Sequence, residues 1–399
     1  MDDEMVSSKY VEKVRSFERG SRADNSPLPG HLDIELTERC DNNCIHCSIN
    51  IPENDPKREN ELNTSEWKKI IQEAANLGVL SIRFTGGEPL LREDFPELYM
   101  FTRKAGIKVI LFTNARKITS ELARMMSEVP PLEKVEVSVY GMKRSTYEKV
   151  SGIPGSYEEF RSGVDLLLEY NVPFTVKGVL LTETKPEIKE FESWASTLPG
   201  MDGTPSYAMN FELRERRDSE AGNKLISSIR NTPEEAMDLL SGNNKDYFSS
   251  MSEYCSKFIG PQGAELFNCG AGLSGSVDPY GNYFPCLTLK AEELSYDLMT
   301  GTLKDALVNF FPEKLKINSS NPVYLQRCGK CFLKGLCLQC PARSWSEHGT
   351  FDTPVEYLCK IAHFQAVHLG LLNDNERGWE VTDWKERIKK MEDKINDKN

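Results

Sequence analysis

Apolar and polar residues alternate along His31-Leu-Asp-Ile-Glu-Leu36 with the period of a strand whose two faces meet different surroundings. Short apolar runs of the same kind recur at Leu80–Phe84, Lys108–Phe112, Lys134–Val139 and Phe174–Leu181. Between them the period becomes helical. Asn63-Thr-Ser-Glu66 offers a cap with a Glu three residues on, and Trp67, Ile70, Ile71 and Ala74 then mark one face as far as Gly78. Further helices are predicted at Phe95–Ala105, Ser120–Glu128 and Tyr157–Tyr170. Strands that alternate with helices build parallel βα units, so the fold class is α/β. Residues that follow the strands then gather at one end of the sheet, where ligands bind.

A chain of 399 residues exceeds one such unit. The predicted division is an N-terminal extension (1–30), a βα unit (31–200), a linking region (201–255), a Cys-rich unit (256–373) and a closing helix (374–399). The link contains Pro199-Gly-Met-Asp-Gly-Thr-Pro205, a charged run Glu212-Leu-Arg-Glu-Arg-Arg-Asp218 expected to be a solvated connector, and a helix starting near Thr232-Pro-Glu-Glu235. After Cys359 an apolar helix continues to Leu372, and a mixed-charge helix closes the chain.

Of the eleven cysteines, all but Cys255 fall into two sets. Cys40, Cys44 and Cys47 follow the first strand with CxxxCxxC spacing. Thiolates are the soft ligands that iron–sulfur clusters prefer, and three of them would leave one iron of a cube-shaped [4Fe–4S] cluster open. Zinc or plain structural thiols are the competing reading, but a structural zinc site takes four N/S ligands, usually as two separated pairs. Farther on, Thr85-Gly-Gly-Glu-Pro89 ends the second strand. Paired glycines let backbone approach closely, and the proline keeps Glu88 extended.

Together the triplet and the Gly-Gly-Glu-Pro turn resemble the radical S-adenosylmethionine (SAM) superfamily. That resemblance implies a partial (β/α)6 TIM-like barrel, with Cys40, Cys44 and Cys47 holding a [4Fe–4S] cluster whose open iron chelates SAM. It also implies SAM contacts from His46, beside the adenine, and from Gly86, Gly87, Glu88 and Pro89, at the amino group. Asn114 and Ser138 would meet the ribose or carboxylate, and Leu180 the adenine. Where relatives carry Asp before the glycine that follows Ser138, this chain has Tyr140.

The second set, Cys269, Cys286, Cys328-x2-Cys331-x5-Cys337-x2-Cys340 and Cys359, with Gly281 in a hairpin turn, resembles the SPASM extension of radical SAM enzymes, a small α+β domain. By that resemblance two auxiliary [4Fe–4S] clusters are expected, one on Cys328, Cys331, Cys337 and Cys359, the other on Cys269, Cys286 and Cys340. The latter group is one ligand short. Cys255 is either the missing ligand or a buried free thiol, with the free thiol expected.

The net charge of −12 argues against nucleic acid, since phosphate binding needs a basic face. No secretory h-region or long apolar stretch is present, so a reducing, oxygen-poor cytoplasm is expected, with no membrane contact. The resemblance implies cleavage of SAM to a 5′-deoxyadenosyl radical that takes hydrogen from a substrate, with electrons from a flavodoxin or ferredoxin. Sulfatase-maturating relatives carry an Asp after the cysteine at the Cys286 position, and Leu287 stands there instead. A peptide or protein side chain, modified through a thioether or carbon–carbon bond, is therefore the expected substrate. The residues before Leu32 are too few for a peptide-recognition domain, so a leader peptide, if there is one, is expected to be recruited by a separate leader-binding protein or by the SPASM domain. A small-molecule or tetrapyrrole pathway is the alternative, and a non-catalytic electron carrier is the alternative of another class.

Overall fold

The computed structural model describes residues 29–396, apart from Asn210 and the stretches 243–246, 249–250, 252–253 and 256–258. The N-terminal extension as far as residue 28, and the boundary expected near residue 256, lie outside the described residues.

The first half is an α/β unit. Strand β1 (His31–Thr37) is followed by α1 (Thr64–Leu77), β2 (Ser81–Gly86), α2 (Phe95–Lys104), β3 (Lys108–Thr113), α3 (Ser120–Glu128) and β4 (Leu132–Val139). Two helices, α4 (Arg144–Ser151) and α5 (Ser156–Glu169), then lead to β5 (Phe174–Val179), α6 (Ile188–Ala195) and β6 (Ser206–Ala208). Neighbouring pairs from β1 to β6 are parallel, with His31 opposite Ser81 and Val137 opposite Val176. This is the partial (β/α)6 barrel, and helices α7 (Glu220–Ser228) and α8 (Pro233–Gly242) follow it.

Local chemistry places these elements. The Asn63 side chain accepts from the Ser65 and Glu66 amides while Glu66 returns a bond to the Asn63 amide, a reciprocal cap that fixes where α1 begins. Its apolar stripe, Trp67, Ile70, Ile71, Ala74 and Leu77, is buried against the sheet. Ile34, Leu36, Phe84, Leu111 and Val137 are buried with it, as expected of parallel strands covered by helices. Strand β5 stops at Val179, before the predicted Leu181. There the Leu180 amide turns to Ala208 O, and Leu181 donates to Thr184 Oγ1.

Helix α4 and the short β6 escaped the pattern reading. Helix α4 has too few apolar positions to show a period, burying only Tyr147, Val150 and Ser151. A three-residue strand carries no alternation at all.

The hairpin around Gly281 does not stand apart from the barrel. Strands β7 (Ser276–Val277), β8 (Asn282–Phe284) and β9 (Tyr296–Asp297) continue the same sheet, in the order β9-β8-β7-β1-β2-β3-β4-β5-β6. Strand β7 runs parallel to β1, with Asp33 opposite Ser276 and Ile34 opposite Val277. Val277, Tyr283, Leu298 and Phe311 therefore share the core of the βα unit. A smaller apolar cluster, with Phe332, Leu333, Ala362, Ala366 and Leu372, holds α10 (Glu356–His368) to α11 (Trp384–Asn396) through Ile388 and Met391.

Candidate cluster and cofactor site

The loop after β1 carries Cys40, Cys44 and Cys47 onto the wall of a cavity of about 530 Å³ at the carboxyl ends of the strands. The loop is pinned from several sides. Asn43 and Ile45 donate to Ser151 O and Val150 O at the end of α4, at 2.8 and 3.1 Å. Arg116 donates to Asn42 Oδ1 at 2.7 Å and lies 3.4 Å from Asp41. The Asn42 and Asn50 amides each point at a cysteine sulfur, Cys40 and Cys47, at 3.4 Å.

Burial pushes all three thiols up, and each also feels its neighbours as like charges. Unaided, they would stay protonated. A cationic centre between them reverses that balance, so buried, mutually repelling thiols suit a metal cluster. Among the described residues no group of Cys, His, Asp and Glu converges closely enough to hold a single metal ion. The sulfurs instead surround open volume, which suits a polynuclear group.

Gly86 and Gly87 line the same cavity. A Cβ on Gly86 would lie 2.1 Å from Thr37 O, and one on Gly87 2.1 Å from Arg39 O, so both glycines are required by contact with the chain entering the cysteine loop. The Gly87 and Glu88 amides donate to those two carbonyls, at 2.8 and 2.9 Å.

The Glu88 carboxylate is held against β3: Oε1 accepts from Thr113 Oγ1 at 2.9 Å and from the Leu90 amide, and Oε2 accepts from the Asn114 amide at 2.8 Å. Burial, with Asp41 adding to it, raises this carboxyl to about 8. Only the glycine backbone of the Gly-Gly-Glu-Pro turn reaches the open volume. Pro89 is buried below it, and Leu180 is fully buried away from the cavity, because β5 has already ended.

His46, Asn114 and Ser138 do line the cavity. His46 packs on Phe211 and Tyr140, at ring distances of 5.3 and 5.8 Å. Burial lowers it to about 4, which leaves a neutral ring whose Nδ1 is buried without a partner. Asn114 already donates to Asp41 Oδ1 at 2.7 Å. Tyr140 hydrogen-bonds the Cys44 thiol and so opposes part of the upward push of burial.

The run Glu212–Asp218 is not a solvated connector. Arg214 and Glu215 are buried, and the segment grips the cysteine loop. Arg214 donates to Cys47 O and Asn50 O at 3.4 and 3.1 Å, the Glu215 amide to Ser48 O at 3.1 Å, and Arg216 to Ile49 O at 2.7 Å. Arg217 reaches Ser346 O on α9 (Pro341–His348), the helix after Cys340. Charge density alone suggested solvent; the carbonyls that satisfy these side chains are distant in sequence and invisible there.

Sequence reasoning also missed Glu35, Lys290, Glu215 and Arg343. Lys290 pairs with Glu35 and sits 3.3 Å from Ser276 Oγ. The polar positions of β1 were the available signal, since a buried parallel strand with Asp33 and Glu35 on one face must spend them inside.

The second cysteine set forms two groups. Cys328, Cys331, Cys337 and Cys359 line one small cavity of about 40 Å³, with His363, whose Nδ1 lies 2.8 Å from Cys359 O. Cys286 and Cys340 pack together beside Phe267 and Leu289, and Cys269 lies near enough to Cys340 to oppose its ionisation. Cys255 is fully buried in the apolar cluster beneath α10, where burial alone raises its thiol to about 11.

Residues 34–195 match the Radical SAM superfamily. The chain is 25% identical over 343 residues to an AdoMet-dependent heme synthase of Methanosarcina barkeri, covering 81% of this chain and 94% of that one. It is 26% identical over 275 residues to a PqqA peptide cyclase of Rhodopseudomonas palustris, covering 67% and 69%. Among solved structures it resembles SuiB of Streptococcus suis, bound to S-adenosylmethionine, with a TM-score of 0.60 at 16% identity over 90% of this chain and 83% of that chain.

Proposed function

We propose that this chain, whose residues 34–195 match the Radical SAM superfamily, is an enzyme that cleaves S-adenosylmethionine reductively and modifies a peptide or protein side chain. The observation that carries this reading is the convergence of Cys40, Cys44 and Cys47 with the Gly86–Gly87 backbone on one cavity. Cys40, Cys44 and Cys47 would hold a [4Fe–4S] cluster, and the backbone at Gly86 and Gly87 would border the amino end of SAM. When bound, this pair supplies a 5′-deoxyadenosyl radical that takes hydrogen from an unactivated C–H bond.

The chain's own residues bind, orient and exclude water. His46, Tyr140 and Phe211 line the cavity with rings tilted against one another, and the unpartnered His46 Nδ1 suits a polar edge of adenine. Ser138 offers a hydroxyl on the same wall. Cys328, Cys331, Cys337 and Cys359 would hold one auxiliary cluster, and Cys269, Cys286 and Cys340 a second whose remaining corner is free for substrate or solvent. In this reading residues 256–373 act as a SPASM unit and residues 31–200 as the SAM unit. A low-potential flavodoxin or ferredoxin would be the electron donor, and a separate protein would present a leader peptide.

The peptide cyclase relative supports a peptide substrate. The heme synthase supports a second reading, a tetrapyrrole, because its alignment covers 81% of this chain and 94% of that enzyme. Release of 5′-deoxyadenosine from anaerobically reconstituted, reduced protein tests the shared core. Absence of that product, with the cluster loaded, ends the proposal.

A further inference from the structure

Besides its rings, the cavity wall holds two polar groups that the fold leaves unmatched. Glu215 is 4% exposed, lines the cavity, and its Oε2 is buried without a hydrogen-bond partner. Arg343, near the start of α9, spends Nη2 on Glu212 at 2.7 Å, and its Nη1 is buried and unpartnered. Buried polar atoms are satisfied as a rule, so two on one cavity wall point to something that completes them. Of their neighbours, Lys290 is committed to Glu35 and Ser276, and Arg216, which does not line the cavity, spends Nη1 on Glu38 at 2.6 Å and leaves Nη2 unpartnered.

We propose that Glu215 and Arg343 form a carboxylate-binding end of this cavity and that the enzyme's substrate presents a carboxylate there. The inference rests on the radical SAM reading and adds the chemical class of what is bound. Burial, reinforced by Glu35, holds the Glu215 carboxyl well above the usual carboxylate range, with Lys290 opposing. Glu215 is thus a neutral O–H donor lining the same cavity as a guanidinium N–H, and a carboxylate accepts from both. A cation would be repelled by Arg343, and an apolar group would leave both atoms unmatched at the cost of their desolvation. Glu215 is held rigidly for this purpose, because Arg214 and Arg216 on either side of it grip the carbonyls of Cys47, Asn50 and Ile49.

A carboxylate could come from an acidic peptide side chain or from a tetrapyrrole, and the test has an arm for each. Binding to the reconstituted full chain is measured for coproporphyrin against its methyl ester, and for a glutamate-rich peptide against the same peptide with glutamine at those positions. At least one acid should bind about tenfold or more tightly than its neutral twin, the worth of a charge-assisted hydrogen bond. Which pair discriminates identifies the source. Arg343→Gln should erase the preference, whereas Glu215→Gln, which keeps a neutral donor, should preserve it and Glu215→Leu should not. Equal binding of acid and neutral twin in both pairs overturns the inference, as does binding of neither pair, and both results come from the unaltered protein. If 5′-deoxyadenosine is released while acid and neutral forms bind alike, the carboxylate site falls and the radical SAM reading stands.

Discussion

Arg216 donates to the carbonyl of Ile49 at 2.7 Å, across 167 residues of sequence. With Arg214 on Cys47 and Asn50, this bond makes the loop after β6 the clasp that shapes the far end of the cysteine loop. The third thiol is therefore positioned by residues from the opposite edge of the barrel.

Replacing Arg214 and Arg216 together by Ala should loosen residues 47–50 and leave three carbonyl contacts unmade or wet. Loss of about 1–3 kcal/mol of stability is expected, since these bonds are charge-assisted. Iron analysis should show less metal on the N-terminal triplet with the C-terminal content unchanged, and a doubly substituted protein with full iron at both places would show that the clasp is dispensable.

The clasp is also acid-sensitive. Burial alone would raise Asp218, but hydrogen bonds from Arg214 and Arg216 outweigh it and bring the carboxyl down to about 2. A carboxyl held below its unfolded value contributes stability that is present above about pH 4 and is lost as the pH falls toward 2. In urea titrations of cluster-free protein, Asp218→Asn should flatten the dependence over that window. An unchanged acid limb would place the acid sensitivity elsewhere.

Gly87→Ala should be severe, because its Cβ would stand 2.1 Å from Arg39 O and backbone cannot move aside cheaply. Several kcal/mol of destabilisation is expected, on the order of a badly overpacked core. Gly203→Ala is the control, with nothing within 4 Å of the added atom. Thermal unfolding should separate the two by many degrees.

Removing cysteines should divide the iron. Cys40, Cys44 and Cys47 changed together to Ala should abolish SAM cleavage and leave the C-terminal iron, whereas Cys328, Cys331, Cys337 and Cys359 changed together should have the opposite effect on iron. The unaltered chain should carry up to about twelve irons if three cubes form. Zinc in place of iron at the C-terminal groups would refute the auxiliary clusters.

The chain as written determined the barrel and its reacting end. Strand and helix periods read from β1 to β5 match the folded elements closely because each is a local pattern backed by a local signal, such as the Asn63–Glu66 cap. The cysteine triplet was equally legible, its three thiols lying within one loop. Only the tertiary structure turned Glu88 toward Thr113, laid β7 beside β1 and closed Arg214 and Arg216 over the cysteine loop. Each of these depends on which distant backbone group meets a given side chain or edge. Hydropathy periods record how residues divide between core and solvent, whereas a hydrogen bond between residues 167 positions apart is fixed only when the whole sheet has closed.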